Sequence, residues 1–139
     1  MKRTFIFILT HGLWGQELIK STEMVIGGQI NDIKAFSLMP DMSLKDYEES
    51  ISKTMADLSG YSFLFLVDIL GGTPYNIAAC YTHEYGAEAL SGLSMDLLIA
   101  VLDLREQYPC TILPELLISR FQDRDGHVAD LKKLLLDSD

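Results

Sequence analysis

The sequence contains little that would place it among secreted or membrane-spanning proteins. Only two of its 139 residues are cysteine, Cys80 and Cys110, and they form no CxxC pair, so a disulfide framework is not indicated. No apolar run reaches the length of a bilayer-spanning helix, and the first run, at residues 5–9, stops short of a signal-peptide core. We therefore expect a cytoplasmic protein with no direct membrane insertion.

Positive charge is also scarce, because 11 basic residues face 20 acidic ones and the formal net charge is -9. This balance disfavours nucleic acid or an anionic membrane as a partner and suits neutral or basic protein surfaces. The chain has no GxGxxG motif, and no GK[ST] follows Gly71-Gly72-Thr73, so nucleotide binding is not expected. We therefore expect no cofactor. The length of the chain predicts a single domain over residues 1–139.

One group of side chains could be mistaken for a metal site. Cys80, His83 and Glu84 are spaced to share a helical face. A zinc site needs about four ligands, and no second cluster in the sequence supplies the others. We expect no bound metal.

Apolar segments rich in β-branched and aromatic residues alternate with segments of helical periodicity. Strands are predicted at residues 5–9, 33–38 and 63–67, with a short fourth one at 88–91. Helices are predicted between them and at residues 95–107, and Gly27-Gly28 provides the stop signal for the first. This alternation predicts an α/β fold with an open, mainly parallel sheet and helices on both faces, in three layers.

Several helix ends carry recognisable signals. Ser43 with Asp46 three positions later resembles a capping box, and Thr73 followed by Pro74 predicts an N-cap and the first residue of a helix. A last helix is predicted from residue 114, although Gly126 could interrupt it. The apolar face of that helix would hold Leu117, Phe121, Val128, Leu131 and Leu135.

Two polar residues follow the strongest strands of the predicted sheet. His11 lies just past the first strand and Asp68 just past the third. In open parallel sheets, ligands bind outside the carboxyl ends of the strands, near the point where the strand order reverses. If the two strands are neighbours, the imidazole and the carboxylate can meet. The carboxylate would then fix the histidine tautomer and leave the other ring nitrogen as a nucleophile.

Glycines beside these two residues are suited to hold a phosphoryl group. Backbone N–H groups at a helix N-terminus bind phosphate oxygens without adding a side-chain charge. Gly12 begins one predicted helix, and Gly71, Gly72 and Thr73 begin another. Each of these residues also has an ordinary alternative role in a strand-to-helix turn. Their placement at one edge of the sheet favours a phosphoryl site.

Large apolar residues surround this predicted site in the sequence. They could be packed in the core in the ordinary way, or they could form an exposed apolar ring around His11 that docks partner proteins. We expect Trp14 in particular to be exposed. The five residues are Leu13, Trp14, Ile69, Leu70 and Tyr75.

These segments resemble the IIA component of the mannose family of the bacterial phosphoenolpyruvate-dependent sugar phosphotransferase system. The resemblance covers nearly the whole chain and is most specific at Thr10-His11-Gly12 and at residues 65–76, FLVDILGGTPYN. The resemblance implies that His11 is the phosphoacceptor and that Asp68 orients its ring. It further implies that Thr73 and the backbone of Gly71 and Gly72 bind the phosphoryl oxygens.

The same resemblance implies partners. Members of the family accept phosphate from the histidine phosphocarrier protein and pass it to a IIB component during sugar uptake. They are typically homodimers, in which a C-terminal strand can be exchanged between subunits. In this chain, residues 129–136 are more typical of a helix than of a strand.

The chain departs from the family pattern at two places. Ile69 stands where many members carry a hydroxyl residue, and residues 92–96, GLSMD, replace Gly-x-Asn-x-Pro. Asp96 would repel a nearby phosphoryl group unless its side chain turns away to cap the helix. These departures leave open a regulatory or binding domain that senses phosphorylation without relaying it.

A third alternative is a receiver domain with Asp68 as the phosphoacceptor. That fold also places an aspartate after the third strand, but it needs an acidic pair after the first. The chain has Thr10-His11 there. A flavodoxin-type site is likewise disfavoured, because a histidine occupies the loop where a run of Ser/Thr would hold the flavin phosphate.

Overall fold

The computed structural model describes residues 1–122 and 128–137. The strands are β1 (Thr4–His11), β2 (Ile33–Leu38), β3 (Ser62–Val67) and β4 (Glu88–Leu90). The helices are α1 (Trp14–Ile26), α2 (Leu44–Ala56), α3 (Gly72–Tyr85), α4 (Met95–Leu104), α5 (Leu113–Gln122) and α6 (Leu131–Asp137), with a 3₁₀ turn at Cys110–Ile112.

The four strands form one parallel sheet in the order β2-β1-β3-β4. The chain moves from β1 outward to β2 and then returns to place β3 on the other side of β1. The strand order therefore reverses between β1 and β3, which lie side by side with Leu9 opposite Val67. This confirms the open parallel sheet expected from the sequence. The strand that ends at His11 and the strand that precedes Asp68 are neighbours.

Helices cover both faces of the sheet, which confirms the three-layer arrangement. Along β1, Ile6 and Ile8 face one layer and Phe7 and Leu9 face the other, and all four are completely buried. The first layer contains residues of α1, α4 and α5, and the second contains residues of α2 and α3. A strand covered on both sides has no polar face, which is why the two central strands, β1 and β3, contain continuous apolar runs.

The start of α2 and the end of α1 agree with the sequence. Ser43 Oγ accepts a hydrogen bond from the Asp46 N–H at 3.0 Å, and Gly27 ends α1 in a left-handed conformation at φ 76°. The prediction for α3 was wrong by two residues, because its N-cap is Gly71 rather than Thr73. Gly71 and Gly72 both have positive φ, a conformation that favours glycine, so the chain turns there and Thr73 already lies in the first turn.

The C-terminal part of the chain also differs from the single helix that was predicted. The residues described there form two helices, α5 and α6, and Gly126 lies outside the described residues. Leu117 belongs to the core, whereas Val128 and Leu131 are exposed. Because residues 128–130 lie in neither helix, the helical periodicity that linked these residues in the sequence is not that of one continuous helix. The expectation of helix rather than strand near the C-terminus is confirmed by α6.

A buried arginine, which the sequence analysis missed, connects the amino ends of the strands. The Arg105 guanidinium donates hydrogen bonds to the carbonyl oxygens of Thr4 (3.3 Å), Asn31 (2.6 Å) and Asp32 (2.9 Å). Its side chain is only 9% exposed, and burial lowers its pKa. The partners are more than 70 residues away in sequence, so no local pattern reveals them.

Replacing this arginine should destabilise the fold strongly. We expect Arg105→Met to lower the free energy of unfolding by about 3 kcal/mol, because three carbonyl oxygens, two of them in part-buried hydrogen bonds, lose a charged donor. Urea denaturation measures the change. Arg3→Met is the matched control, since Arg3 pairs with Asp32 but is 69% exposed, and it should lower the free energy of unfolding by less than about 1 kcal/mol. Equal losses in the two variants would contradict this role of Arg105.

Candidate functional site

His11 and Asp68 meet at the carboxyl edge of the sheet, where the strand order reverses. His11 is the last residue of β1, whereas the sequence predicted that it would lie just past the strand. Asp68 directly follows β3, as predicted. The imidazole Nδ1 lies 2.9 Å from Asp68 Oδ2. The histidine side chain is 50% exposed and the aspartate side chain 12%. One ring edge is therefore held by the carboxylate while the ring remains accessible to a partner.

Asp68 accepts three hydrogen bonds. Its Oδ2 accepts from the His11 backbone N–H at 2.8 Å as well as from Nδ1, and its Oδ1 accepts from the Ile69 N–H at 2.9 Å. Partial burial, the largest single effect, raises the pKa of Asp68, but these hydrogen bonds and the histidine together bring the pKa below its ordinary value. The carboxylate is therefore ionised near neutral pH and favours the tautomer in which Nδ1–H donates the hydrogen bond; in that neutral tautomer Nε2 carries the free lone pair.

Gly72 lies against the Cε1–Nε2 edge of the imidazole. A Cβ atom placed on Gly72 would lie 3.3 Å from His11 Cε1 and 3.5 Å from Nε2, and the residue has φ +86°. The first N–H groups of a helix have no partner within the helix. The start of α3, with Gly71, Gly72 and Thr73, therefore brings backbone donors to the Nε2 side of the ring.

The Gly12 backbone N–H, which was expected to bind a phosphoryl oxygen, has a protein acceptor in this structure. Its N–H donates to the Leu38 carbonyl oxygen at 2.9 Å, which extends the pairing of β1 with β2 by one residue. Gly12 has φ +69°, so its contribution is the sharp turn from β1 into α1. Among the glycines named from the sequence, Gly71 and Gly72 are the ones that begin a helix at the site.

Two residues near the site, Thr10 and Tyr47, were given no role in the site by the sequence analysis. Thr10 is completely buried, and its hydroxyl contacts the turn after His11 through Gly12 and Gly15. Tyr47 is buried below the site, and burial, followed by the negative charge of Asp68, raises its pKa well above the ordinary range. A lone hydroxyl residue at the end of an apolar strand is the signal that could have identified Thr10.

All five large apolar residues expected around His11 are exposed. The exposed fraction of the residue ranges from 36% to 73%, and Trp14 is 40% exposed as expected. Ordinary core packing is thereby excluded for them. We call this set the apolar ring; it consists of Leu13, Trp14, Ile69, Leu70 and Tyr75.

The two departures from the family pattern, Ile69 and the segment at residues 92–96, both have side chains or backbone groups with identified local roles. Ile69 keeps its backbone N–H on Asp68 Oδ1 and exposes its side chain. Ser94, not Asp96, caps α4, because Ser94 Oγ accepts from the Leu97 N–H at 3.0 Å. Asp96 is an exposed residue of the first turn, where a negative charge stabilises the helix.

Within residues 1–122 and 128–137, no group of three or more His, Cys, Asp and Glu side chains is arranged to hold a metal ion. Cys80 instead donates to Glu84 Oε1 at 3.3 Å. No helix in the described part of the chain is long and apolar enough to cross a membrane.

The contact between Gly72 and the imidazole can be tested by adding a methyl group. We expect Gly72→Ala to displace the His11 ring from Asp68 and to lower the free energy of unfolding by about 1–2 kcal/mol, because of the contact and the positive φ. Gly86→Ala is the matched control, since Gly86 also has positive φ but has no atom within 4 Å of its Cβ position. Imidazole NMR spectra report the position of the His11 ring, and urea denaturation measures the free energy of unfolding. An unchanged His11 spectrum in Gly72→Ala would contradict the contact.

The chain matches the family model described as the PTS system fructose IIA component over residues 5–110. It is 32% identical over 103 residues to the fructose-specific EIIA component of Bacillus subtilis (strain 168), covering 73% of this chain and 70% of that protein. It is 30% identical over 106 residues to the mannose-specific EIIAB component of Escherichia coli (strain K12), covering 75% of this chain but only 32% of that longer protein.

Solved structures agree with this match at the level of the fold. The phosphotransferase system component EIIA from Streptococcus agalactiae superposes with a TM-score of 0.80 at 24% identity, covering 94% of this chain and 98% of that one. The family model spans most of the chain and includes both His11 and Asp68. The chain therefore belongs to the mannose-type family of phosphotransferase system IIA components, which includes the fructose IIA components.

Proposed function

We propose that this chain carries a phosphoryl group on His11, accepting it from the histidine phosphocarrier protein and passing it to a IIB component. Membership of the IIA family implies a phosphoryl relay in sugar uptake. The observation that supports His11 as the carrier is its hydrogen bond to Asp68 through Nδ1, at 2.9 Å, on a ring that is half exposed. Such a ring offers Nε2 to a partner protein.

In the proposed transfer, the Nε2 lone pair of His11 attacks the phosphorus of the phosphorylated donor. A P–N bond forms at Nε2 while the P–N bond to the donor histidine breaks, and the donor imidazole keeps the electron pair. The His11 ring, still protonated at Nδ1, becomes positively charged. Asp68 stabilises this charge across the 2.9 Å hydrogen bond. The reverse chemistry delivers the group to the IIB component.

The phosphoryl oxygens would be bound by backbone N–H groups of Gly71, Gly72 and Thr73 together with the Thr73 hydroxyl. This assignment is supported by the closeness of Gly72 to Nε2 and by the position of the start of α3, because the first N–H groups of a helix have no acceptor within the helix. Because the Gly12 amide bonds Leu38 in this structure, we assign Gly12 the turn rather than a phosphoryl contact.

The apolar ring is the proposed docking surface for both protein partners. Exposed apolar side chains around a reactive group provide contact area and exclude water from a labile bond. Met42 and Leu44 are also exposed and follow β2, whose end lies next to His11, so they extend this surface on the β2 side. The net charge of -9 favours partners with neutral or basic surfaces. We further propose a cytoplasmic homodimer, as is typical of the family.

The second candidate function is a phosphorylation sensor that does not relay the group. It is favoured by Ile69 and Asp96, which replace the residues typical of the family. A two-step experiment separates the two functions. The protein is first phosphorylated by phosphoenolpyruvate, enzyme I and the histidine phosphocarrier protein, and it is then repurified and mixed with a mannose-type IIB component.

A carrier loses its phosphoryl group to IIB, which gains it in equal amount. A sensor keeps the group under the same conditions, although it accepts it from the donor. Intact-mass measurement of both proteins gives the result directly. Retention of phosphate on this chain with every mannose-type IIB component tested would contradict the carrier function and favour the sensor.

A further inference from the structure

The hydroxyl of Thr10 connects the two sides of the turn that follows His11. Thr10 is completely buried at the end of β1. Its Oγ1 donates to the Gly12 carbonyl oxygen at 3.0 Å and accepts from the Gly15 N–H at 3.2 Å. A single hydroxyl group can do both, because it has one donor and two acceptor positions. It therefore links the strand end to the first turn of α1.

Gly15 makes this link possible. A Cβ at Gly15 would lie 2.9 Å from Ile8 Cγ2 and 3.2 Å from both Cγ2 and Oγ1 of Thr10, closer than side chains tolerate without shifting. The first turn of α1 therefore packs directly on the end of β1. The Thr10 hydroxyl is a polar contact inside this packed junction.

The orientation of the His11 ring depends on the position of its own main chain. The backbone N–H and the ring Nδ1 bond the same oxygen of Asp68, at 2.8 and 2.9 Å. A shift of the main chain at residue 11 would therefore disturb both hydrogen bonds together. On the β2 side, the main chain is held by the hydrogen bond from Gly12 to Leu38, and on the α1 side the Thr10 hydroxyl holds the turn.

We propose that Thr10 is a positioning residue for His11. Its hydroxyl fixes the turn over residues 10–15. The imidazole therefore keeps its Nδ1–H hydrogen bond to Asp68 and presents Nε2 to the solvent. The effect of Thr10 on phosphoryl transfer rests on the proposed function, whereas its effect on the orientation of the His11 imidazole does not. The two can therefore be measured separately.

The test compares three substitutions in the full chain. Thr10→Val removes the hydroxyl and keeps the β-branched shape, and Thr10→Ser keeps the hydroxyl. Thr22→Val is the matched control, because Thr22 is also completely buried and its hydroxyl donates to the Leu18 carbonyl oxygen at 2.7 Å, further along α1. The imidazole ¹⁵N spectrum of the unphosphorylated protein reports the His11 tautomer. The rate of phosphate uptake from the histidine phosphocarrier protein reports the functional consequence.

For Thr10→Val, we expect a loss of the single Nδ1-protonated form and phosphate uptake that is about 10-fold to 100-fold slower. Thr10→Ser and Thr22→Val should match the wild type in both measurements. A wild-type imidazole spectrum in Thr10→Val, or an equal change in Thr22→Val, would overturn the proposal. If the wild type itself takes up no phosphate, the proposed function fails, and the imidazole spectra alone still decide the role of Thr10.

Discussion

His11→Ala is expected to take up no phosphate from the histidine phosphocarrier protein while remaining folded. The substitution removes the only proposed nucleophile, so the effect on uptake should be complete rather than partial. The side chain is half exposed, and its contact with Asp68 is one hydrogen bond, so the free energy of unfolding should fall by no more than about 1 kcal/mol. Intact-mass measurement gives the uptake, and urea denaturation gives the stability.

His83→Ala is the matched control for this experiment. His83 is an exposed histidine in α3 and lies outside the proposed site. The control should take up one phosphoryl group at the wild-type rate. Stoichiometric phosphorylation of His11→Ala would show that another residue is the acceptor.

Asp68→Asn is expected to slow phosphate uptake by about 100-fold or more. The amide has one acceptor oxygen where the carboxylate has two, so its NH₂ group must face an N–H of either His11 or Ile69. The Nδ1 tautomer is then no longer enforced, and the positive ring formed on phosphorylation loses its counter-charge. An aspartate that orients a catalytic histidine in the same way contributes about 10⁴-fold in serine proteases.

The rate of uptake by Asp68→Asn is measured against Asp57→Asn. Asp57 is an exposed residue at the C-terminal end of α2, so its neutralisation changes the net charge by the same amount without touching the site. Uptake by Asp57→Asn should equal that of the wild type. If Asp68→Asn also took up phosphate at the wild-type rate, the orienting role of the carboxylate would be wrong.

The sequence was sufficient for the parts of the structure that depend on local pattern. The strands around residues 5–9 and 63–67 are apolar because both faces of the sheet are covered, so they stand out as continuous apolar runs. The general rule that sites lie where the strand order reverses then placed His11 beside Asp68. The observed order, with β1 next to β3, confirms the neighbouring strands on which that placement depended.

The parts that were missed depend on distant partners or on which of two acceptors a backbone N–H group bonds. The hydrogen bonds of Arg105 join residues up to 101 positions apart. The Gly12 amide could have faced a ligand or continued the sheet, and only the position of Leu38 decides between these. The role of Thr10 required knowing how closely α1 packs on β1, which Gly15 determines. No local periodicity contains this information.

In the proposed mechanism, the phosphoryl group is carried on Nε2 of His11. The most direct test is to phosphorylate ¹⁵N-histidine-labelled protein with phosphoenolpyruvate, enzyme I and the histidine phosphocarrier protein, and to locate the group by ³¹P and ¹⁵N NMR. We predict one acid-labile, base-stable phosphoramidate with the P–N bond at Nε2 of His11. A base-labile acyl phosphate on Asp68, or a P–N bond at Nδ1, would contradict the mechanism.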